Sequence, residues 1–340
     1  MVFGSQLPHT PLTVLVTGGA GFIGAVVCEH LMAAGHRVIT ADRGTEPRHE
    51  RARSRLAGAH HLVGDLGVAS GGMGGGRPGV DLPGLLGSVD RVVHLAGRPG
   101  VQTSWGTGFR GHVDDNLVVT QGLLEAASEA GVDRVVVASS SSVYGQIATG
   151  RASEDVPLRP RSPYGVAKAG VEQLVGVYAG LGLSAVALRY FTAYGRGQRP
   201  DMAVARMIAA TRGGPPFPVR APGRQQRDLT HVDDVAAATV AALFADLPPG
   251  WVANVGSGRS VALGEILRRV AVATGRRVPT VAVPAAPGDP DRTAADISRA
   301  GRDLGWRPRV DLAAGLDDQV AAAGRDDQVP ATAPRLGRTA

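Results

Sequence analysis

Lysine is nearly absent from this sequence. The 340 residues contain 36 basic side chains, and Lys168 is the only one of them that is not an arginine. An arginine side chain is planar, bulky and always charged, whereas lysine carries a compact charge on a flexible stem. A chain that uses arginine wherever a surface cation is sufficient is expected to keep lysine where a guanidinium would fail. Lys168 is therefore the first candidate for a functional residue.

Cysteine and long apolar runs are also scarce, and each shortage excludes a class of protein. A single cysteine, Cys28, excludes an internal disulfide framework and favours a reducing compartment. No run of about eighteen or more apolar residues occurs, which argues against a membrane-spanning helix. Residues 1–10 lack the charged and apolar segments of a signal peptide. We therefore expect a cytoplasmic protein with no membrane partner.

The excess of positive charge does not by itself indicate a nucleic-acid partner. The formal net charge is +6, but 30 acidic residues are interspersed and aromatic residues make up only 4% of the chain. The arginines form no dense cluster with aromatic residues, which nucleic-acid binding would favour. We expect no nucleic-acid partner, and arginines could instead bind an anionic small substrate. The sequence assigns no metal ligands.

A glycine-rich turn follows the first predicted strand. Residues 12–17 form a short apolar, β-branched run, and Gly18, Gly21 and Gly24 come before a helical pattern over residues 25–34. Strand, glycine turn and helix together are typical of a dinucleotide site, in which the pyrophosphate lies on the helix N-terminus. The pattern predicts such a site here, although two residues rather than one separate the first two glycines.

The next two predicted strands end at acidic residues. The second strand, residues 36–41, ends at Asp42, which suits the 2′-hydroxyl of an adenosine ribose and hence NAD. Arg43 beside it could instead accept the 2′-phosphate of NADP. The third strand, residues 62–66, carries Asp65, which either lies near the adenine or caps the next helix.

The alternation of further strands and helices predicts the fold class. Strands are predicted over residues 91–96, 134–139 and 185–190, with helices over 114–130 and from Tyr164 to about residue 182. This order indicates an α/β protein with a Rossmann-like, doubly wound parallel sheet. Hydroxyls at the end of the fifth strand, Ser139–Ser142, would lie where such sheets bind ligands.

Tyr164 and Lys168 lie four residues apart in a predicted helix. At this spacing their side chains share one face. A cation beside the phenol favours phenolate, so we expect Lys168 to lower the pKa of Tyr164. Tyr164 would then act as a proton acceptor near neutral pH.

The chain divides into two predicted regions. Residues 11–190 form the cofactor-binding domain, to which part of 228–258 returns, and residues 191–320 form mainly a smaller substrate-binding α/β subdomain. A Gly-rich segment at residues 69–79, whose glycine-dense part is 71–79, is interpreted as a flexible insertion. Residues 325–340 are interpreted as a disordered tail.

Taken together, these motifs resemble the extended short-chain dehydrogenase/reductase superfamily, and within it the nucleotide-sugar epimerases. The resemblance covers about residues 12–320. It rests on the motifs Thr17-Gly18-x-x-Gly21-Phe22-Ile23-Gly24, Asp42, Gly64-Asp65-Leu66, His94-Leu95-Ala96-Gly97, Ser139 to Gly145, Tyr164-x-x-x-Lys168, and Arg227-Asp228 before Val232-Asp233-Asp234.

The resemblance implies NAD as the cofactor, a UDP-sugar as the substrate and roles for individual residues. Tyr164 would accept the sugar proton, Lys168 would hold the phenolate and the nicotinamide ribose, and Ser140 would bridge the sugar hydroxyl and Tyr164. The implied cofactor-binding residues are Gly18, Gly21, Phe22, Ile23, Gly24, Asp42, Arg43, Asp65, Leu66, Leu95, Ala96, Gly97, Asn116, Ser139, Tyr164, Lys168 and Phe191. The implied substrate-binding residues are Ser140, Ser141, Ser142, Tyr164, Thr192, Arg199, Arg206, Val219, Arg227 and Arg292.

Two departures from the wider family indicate the branch. Dehydratases and decarboxylating relatives carry an acid after the catalytic Ser or Thr, whereas this chain has Ser141 and Ser142. The segment from Arg189 to Met202 looks like that of UDP-glucuronate 4-epimerases, in which Thr192 replaces the Asn usual in UDP-glucose epimerases. Hydroxyls of Ser141, Ser142 and Thr192 could hold a C6 carboxylate without a cation. The resemblance therefore implies interconversion of UDP-glucuronate and UDP-galacturonate.

Other functions remain open from the sequence. The nearest alternative is a 4-epimerase for UDP-glucose or UDP-N-acetylglucosamine. A UDP-sugar decarboxylase, a net oxidoreductase using exchangeable NADP and a catalytically silent NAD-binding protein are further alternatives, since the fold does not determine the function. The resemblance also implies a homodimer formed through the helices that begin near Asp114 and Tyr164.

Overall fold

The computed structural model describes residues 10–44, 56–67, 79–147, 149–220 and 223–326. The predicted Gly-rich insertion at residues 69–79 lies outside these ranges except for Gly79. Of the predicted tail at residues 325–340, the first two residues belong to the C-terminal helix, so the prediction is wrong for these two. The remainder of that tail lies outside the described residues.

Strands and helices alternate through the first part of the chain. The strands are β1 (Thr13–Thr17), β2 (Arg37–Asp42), β3 (His60–Val63), β4 (Arg91–His94), β5 (Arg134–Ser140), β6 (Ala185–Tyr190), β7 (Thr192–Tyr194), β8 (Phe217–Arg220), β9 (Gln226–His231), β10 (Val252–Val255), β11 (Ser260–Ala262) and β12 (Thr280–Val283). The α-helices are α1 (Phe22–Ala33), α2 (Leu82–Leu86), α3 (Gly108–His112), α4 (Val119–Glu129), α5 (Pro163–Gly180), α6 (Ala203–Thr211), α7 (Val232–Phe244), α8 (Leu263–Thr274), α9 (Ser298–Asp303) and α10 (Leu312–Asp326). A π-helical turn (Val113–Val118) joins α3 to α4, and 3-10 turns cover Gln102–Ser104 and Ser141–Val143.

A seven-stranded sheet forms the centre of the molecule and confirms the predicted fold class. Its order is β10-β6-β5-β4-β1-β2-β3, and every neighbouring pair is parallel. The strand order reverses between β1 and β4, because the chain builds outward from β1 in one direction and then from β4 in the other. Ligands bind at such a switch point, outside the carboxyl ends of the strands.

Both faces of this sheet are covered by helices. In β1, Val14 and Val16 pack into an apolar cluster with residues of α1 and α7. Leu15 points to the opposite face and packs with residues of α4 and α5. This alternation follows from the two-residue period of a strand, and burial on both faces explains the continuous apolar runs that made the parallel strands recognisable in the sequence.

The helix before β5 begins earlier than predicted. The sequence predicted a start at Asp114, whereas helical structure begins at Gly108 and passes through the π-helical turn. Gly108 and Gly111 weaken the helical pattern of this segment, since glycine is a poor helix former. A π-helical turn inserts one residue into the helical repeat and is often found at functional sites.

The remaining strands form two small sheets beyond the main one. The order β11-β9-β7 makes a three-stranded sheet, and β12-β8 makes a two-stranded sheet. Their strands are three to six residues long, which is too short for a clear periodicity, and the sequence analysis identified none of them.

One strand of the main sheet is also shifted from its predicted position. The prediction placed β3 at residues 62–66, but the strand ends at Val63, and Gly64 donates to the carbonyl oxygen of Asp42 at 3.0 Å. Within the described ranges, no helix combines the length and the apolar character needed to cross a membrane.

Candidate active site

A large cavity lies at the carboxyl ends of the parallel strands. Its volume is about 950 Å³. It extends from the ends of β1 and β2, across the switch point, to the ends of β5 and β6 and the segment after β7. All of the residues that were predicted to hold the cofactor line this cavity: Gly18, Gly21, Phe22, Ile23, Gly24, Asp42, Arg43, Asp65, Leu66, Leu95, Ala96, Gly97, Asn116, Ser139, Tyr164, Lys168 and Phe191.

The glycine-rich turn brings the N-terminus of α1 to the cavity. A Cβ atom added to Gly24 would lie 2.2 Å from the carbonyl oxygen of Gly18, so no side chain fits there. Gly18 itself has φ +69, the left-handed region that glycine adopts most readily. The N-cap residue Gly21 provides no side-chain cap. The amide N–H groups of the first turn therefore face the cavity unshielded, which is a favourable arrangement for a phosphate group.

A network of ion pairs lies at the end of the cavity formed by β2 and β3. Arg43 donates from Nη1 to Asp115 at 2.7 Å and from Nη2 to Asp65 at 3.0 Å. Arg98 donates from Nε to the other oxygen of Asp115 at 2.7 Å. The Arg43 guanidinium thus faces two carboxylates, and the side chain of Asp42 accepts a hydrogen bond from the amide of Gly44 at 3.0 Å. This surplus of acids favours a ribose hydroxyl over a phosphate at this end.

Asn116 holds the loop that follows β4. Its Oδ1 atom accepts a hydrogen bond from the amide of Arg98 at 3.1 Å, and its Nδ2 atom donates to the carbonyl oxygen of Arg98 at 3.0 Å. Nδ2 also donates to the carbonyl oxygen of His112 at 3.0 Å. The π-helical turn carries both Asp115 and Asn116 and places them on the cavity wall.

Tyr164 lies in the first turn of α5 with 9% of its surface exposed. Its ring makes an edge contact with His112, with centroids 5.7 Å apart. Burial raises the pKa of the phenol, while a hydrogen bond with Ser140 and the charge of Arg199 act to lower it. From the sequence, a lowered pKa was expected for Tyr164, and this is wrong for the structure: the pKa is raised, because desolvation outweighs the favourable interactions.

Lys168 lies one turn further along α5 and is also buried. Its Nζ atom donates to the carbonyl oxygen of Ala138 at 2.8 Å, which ties α5 to the end of β5. Burial lowers the pKa of Lys168 to about 8, and the charge of Glu172 acts in the opposite direction. A compact ammonium is thus held at the junction of the cavity and the sheet.

Hydroxyl groups line the opposite end of the cavity. Ser141, Ser142 and Thr192 lie on the wall there, with Arg199 beyond them. The guanidinium of Arg199 is held by Asp201, which accepts from Nε at 2.9 Å and from Nη2 at 2.6 Å. This end therefore offers hydroxyls and an arginine whose charge is largely balanced by its own partner.

The other predicted substrate residues do not line this cavity. The guanidinium of Arg206 lies 5.8 Å from the centre of the Phe217 ring, and Val219 pairs with Ala282 between β8 and β12. Arg227 lies 3.8 Å from Asp289 in an ion pair. Arg292 donates to the carbonyl oxygen of Gly150. These contacts do not test binding of a substrate, and the binding roles of the four residues stay predictions.

Several residues on the cavity wall were not identified from the sequence. They include Arg98, Asp115, Arg196, Gly197, Asp201 and Met202. Asp115 comes directly before Asn116, which was predicted to line the site. Its charge and this position are the signals in the sequence by which Asp115 could have been identified. Arg196 and Gly197 lie in the Gly- and Arg-rich loop after β7, whose composition gives no indication of which side chains face inward.

The cavity suits a dinucleotide together with a second ligand. The uncapped N-terminus of α1 fits the pyrophosphate, Asp42 fits a ribose hydroxyl, and Lys168 fits the hydroxyls of a second ribose. The hydroxyl-lined end leaves space for another small molecule beside Tyr164. The cavity volume of about 950 Å³ is at the upper end of the range usual for ligand pockets, about 300–1,000 Å³.

Comparison with known proteins gives a consistent result. Residues 14–256 match the NAD dependent epimerase/dehydratase family. The structure of UDP-glucuronic acid 4-epimerase from Bacillus cereus, in complex with UDP-glucuronic acid and NAD, is similar with a TM-score of 0.84 and 35% identity, covering 92% of this chain and 99% of that chain.

Two further relatives are associated with different sugars, one through its complexes and one through its name. MoeE5, solved with UDP-glucuronic acid and NAD, has a TM-score of 0.83 and 40% identity, with 92% of this chain and 99% of that chain covered. MoeE5 has also been solved with UDP-glucose and NAD. YtcB of Bacillus subtilis (strain 168), named an uncharacterized UDP-glucose epimerase, is 35% identical over 312 residues, which cover 91% of this chain and 97% of YtcB.

Proposed function

The chain belongs to the NAD dependent epimerase/dehydratase family, and from this premise we propose that it interconverts UDP-glucuronate and UDP-galacturonate. It is an NAD-dependent UDP-sugar 4-epimerase, and the choice of a uronic acid is the proposed step. The reaction oxidises C4 of the sugar, turns the 4-keto sugar over in the cavity and reduces it on its other face.

The catalytic roles are assigned to residues at the junction of α5 and β5. Tyr164 takes the proton from the C4 hydroxyl, and Ser140, which is hydrogen-bonded to Tyr164, orients that hydroxyl. Lys168 stabilises the phenolate and holds a ribose. NAD, when bound, supplies the hydride acceptor and donor for C4 and a positive charge beside the phenol. The charge of Arg199 and the hydrogen bond with Ser140 oppose the burial that raises the pKa of Tyr164.

The observation that carries the proposal is the row of hydroxyls at the end of β5. Ser141 and Ser142 follow Ser140 on the cavity wall, in the positions where dehydrating and decarboxylating enzymes need an acid. Together with Thr192 they can hold a C6 carboxylate by charge-assisted hydrogen bonds. A fixed carboxylate with no general acid beside it favours retention of carbon dioxide by the β-keto acid formed at C4.

The pairing of Arg199 with Asp201 supports the same assignment. Asp201 binds two nitrogens of the guanidinium, so Arg199 is held in position and its charge is balanced. An unpaired arginine next to the C6 carboxylate would form a second, stronger anchor. The pair instead leaves the hydroxyls as the groups that distinguish a carboxylate from a hydroxymethyl group.

We assign the UDP portion to the second part of the chain. Residues 11–190, with part of 228–258, form the NAD-binding domain, and residues 191–320 form mainly the nucleotide-sugar subdomain. Arg227 and Arg292 are proposed to bind the diphosphate, Val219 to pack on uracil, and Arg206 to lie near the sugar. For Arg227 this requires exchange of its ion pair with Asp289 for a phosphate.

A neutral sugar is the second candidate. The names of YtcB and of the MoeE5 complex with UDP-glucose favour UDP-glucose as an alternative substrate.

The decisive test incubates the purified protein, without added cofactor, with UDP-glucuronate, UDP-glucose or UDP-N-acetylglucosamine, and identifies the products by chromatography. Conversion of UDP-glucuronate to UDP-galacturonate is expected. Release of a UDP-pentose would contradict the roles given to Ser141 and Ser142.

The Thr192→Val variant tests how the carboxylate is recognised. The change removes a hydroxyl but keeps the side-chain shape, and one hydrogen bond to a charged group is worth about 1.5–3 kcal/mol. We expect kcat/KM for UDP-glucuronate to fall about 10- to 100-fold, and residual activity on UDP-glucose to change little. Thr280→Val, at an exposed position of β12, is the control. Equal losses on both sugars would contradict the assignment.

We further propose that the protein is a cytoplasmic homodimer. Val118, Val166 and Val177 are 50–58% exposed on the π-helical turn and α5, which lie side by side: a Cβ at Gly170 of α5 would lie 2.7 Å from Leu117. An apolar surface across two neighbouring helices suits a self-complementary contact. The buried free thiol of Cys28 is compatible with a reducing compartment.

A further inference from the structure

Glu172 is a buried carboxylate to which the mechanism above gives no role. It lies four residues after Lys168 in α5, and its side chain is 4% exposed. Arg189 donates to it from Nε at 2.9 Å and from Nη2 at 2.7 Å. The hydroxyl of Ser139 donates to Oε1 at 2.5 Å. With both oxygens bound, the carboxylate is held in a single orientation.

Arg189 is fixed in turn by Tyr144, which follows the 3-10 turn at Ser141–Val143. Its Nη1 atom donates to the hydroxyl of Tyr144 at 2.7 Å, and its guanidinium lies 4.8 Å from the centre of the Tyr144 ring. Tyr144 then donates to Oδ1 of Asn254 on β10 at 2.7 Å. Apolar residues of similar volume often give equal or greater stability than a buried ion pair. Stability alone therefore does not explain the Glu172–Arg189 pair.

The surroundings of Lys168 contain few other charges. His94 on β4 and His112 on α3 lie near it, and burial lowers the pKa of both rings, that of His94 to about 3. Both histidines are therefore neutral near pH 7. Glu172 supplies the negative charge that raises the pKa of Lys168 against the effect of burial. Tyr164 on the same helix and Arg189 on β6, which holds Glu172, are the other titratable or charged groups considered among the described residues.

We propose that Glu172 is a positioning residue: clamped by Arg189, it keeps the Lys168 ammonium charged and in place beside Tyr164, and it orients Ser139 next to Ser140. Because Arg189 occupies both carboxylate oxygens, Glu172 stabilises the ammonium without capturing it in a direct ion pair. The lysine stays free to bind a ribose and the phenolate. The inference rests on the proposed function only for the roles of Tyr164 and Lys168.

The single lysine makes a direct test possible. Protein labelled with ¹³C at the lysine Cε position gives one side-chain NMR signal, that of Lys168, and no substrate is needed to titrate it. We expect a pKa of about 8 in the wild type, and a value about 1 pH unit or more lower in Glu172→Gln. Glu265→Gln is the control, since Glu265 also accepts hydrogen bonds from arginine, in its case Arg268 and Arg269 on the distant helix α8.

A second variant separates charge from folding. Glu172→Gln leaves Arg189 without its counter-ion and could fail to fold. The double variant Glu172→Gln/Arg189→Gln removes both charges together, and we expect it to fold and to show a lowered Lys168 pKa. An unchanged titration in either folded variant would overturn the proposal. Failure of both variants to fold would also overturn it, because the pair would then be purely structural.

Turnover gives an independent measurement. It is followed against pH with whichever UDP-sugar the wild type converts, so that the choice of sugar does not affect the result. Activity requires the charged ammonium and is lost as pH rises through its pKa. The alkaline limb of kcat should therefore move to lower pH in both variants, with partial recovery of turnover in more acidic buffer. A uniform loss at every pH would instead assign Glu172 a structural role.

Discussion

At the scale of single residues, the proposed site contains two buried side chains, Tyr164 and Lys168. Their removal from water disfavours the charged forms that the proposed reaction needs. Burial raises the pKa of Tyr164 and lowers that of Lys168, so burial favours the neutral form of each. The proposed catalysis needs a phenolate beside an ammonium, and each charge stabilises the other only if their separation is maintained. The contact of Lys168 with Ala138 and the bond of Tyr164 with Ser140 maintain that geometry.

Lys168→Arg tests why this chain keeps one lysine. The side chain is 8% exposed, and the broader guanidinium cannot occupy the same space while reaching both the phenolate and a ribose. We expect a folded protein whose kcat falls about 100-fold or more, within the range of general acid–base effects. Circular dichroism checks the fold and a turnover assay checks the activity.

The reverse exchange at the surface is the control for that experiment. Arg110 is 84% exposed, and Arg110→Lys is expected to leave kcat unchanged. Wild-type turnover in Lys168→Arg would show that the single lysine reflects the composition of the chain and not a requirement of the site.

At the scale of elements, the ends of β2, β3 and the π-helical turn together decide which dinucleotide fits. From the sequence alone, Arg43 remained a candidate ligand for the 2′-phosphate of NADP. In the structure Arg43 is engaged by Asp65 and Asp115, residues that are far from it in the chain. A 2′-phosphate would have to displace these acids and remain close to Asp42, so the arrangement favours NAD.

The double variant Asp65→Asn/Asp115→Asn should weaken this discrimination. Each partly exposed ion pair is worth about 0.2–1 kcal/mol, so removal of both is expected to improve NADPH binding relative to NADH about 2- to 30-fold. The fluorescence of the reduced cofactors measures both affinities. Asp114→Asn is the control, because Asp114 pairs with Arg110 outside the cavity. An unchanged ratio would mean that Asp42 alone sets the preference.

At the scale of the whole molecule, the proposed dimer is assigned to the exposed apolar residues on neighbouring helices. Val118→Asp/Val177→Asp places charges on the proposed contact, where an unpaired charge is costly to desolvate. We expect light scattering after gel filtration to show a dimer for the wild type and a monomer for this variant. Val272→Asp, at a 75% exposed position of α8, should remain a dimer. A monomeric wild type would contradict the proposal.

Much of the main sheet was predictable because its local signals agree with its tertiary environment. The predicted bounds of β6 match the structure, and those of β1 and β5 differ from it by one residue at one end. Strands buried on both faces are continuous apolar runs. The glycine turn is recognisable because Gly18 has a positive φ and Gly24 has no room for a side chain. The strands of the small sheets carry no such signal, since only their neighbours hold them in place.

The sequence by itself determined the fold class, the glycine turn, and the residue types at the proposed catalytic centre, because these depend on local pattern and short spacing. The tertiary structure decided the features that depend on contacts between residues distant in the chain. It placed Arg43 between Asp65 and Asp115, reversed the expected pKa direction of Tyr164 through burial, and joined Glu172 to Arg189. Desolvation and charge pairing depend on which groups meet in space, and residues distant in the chain supply them.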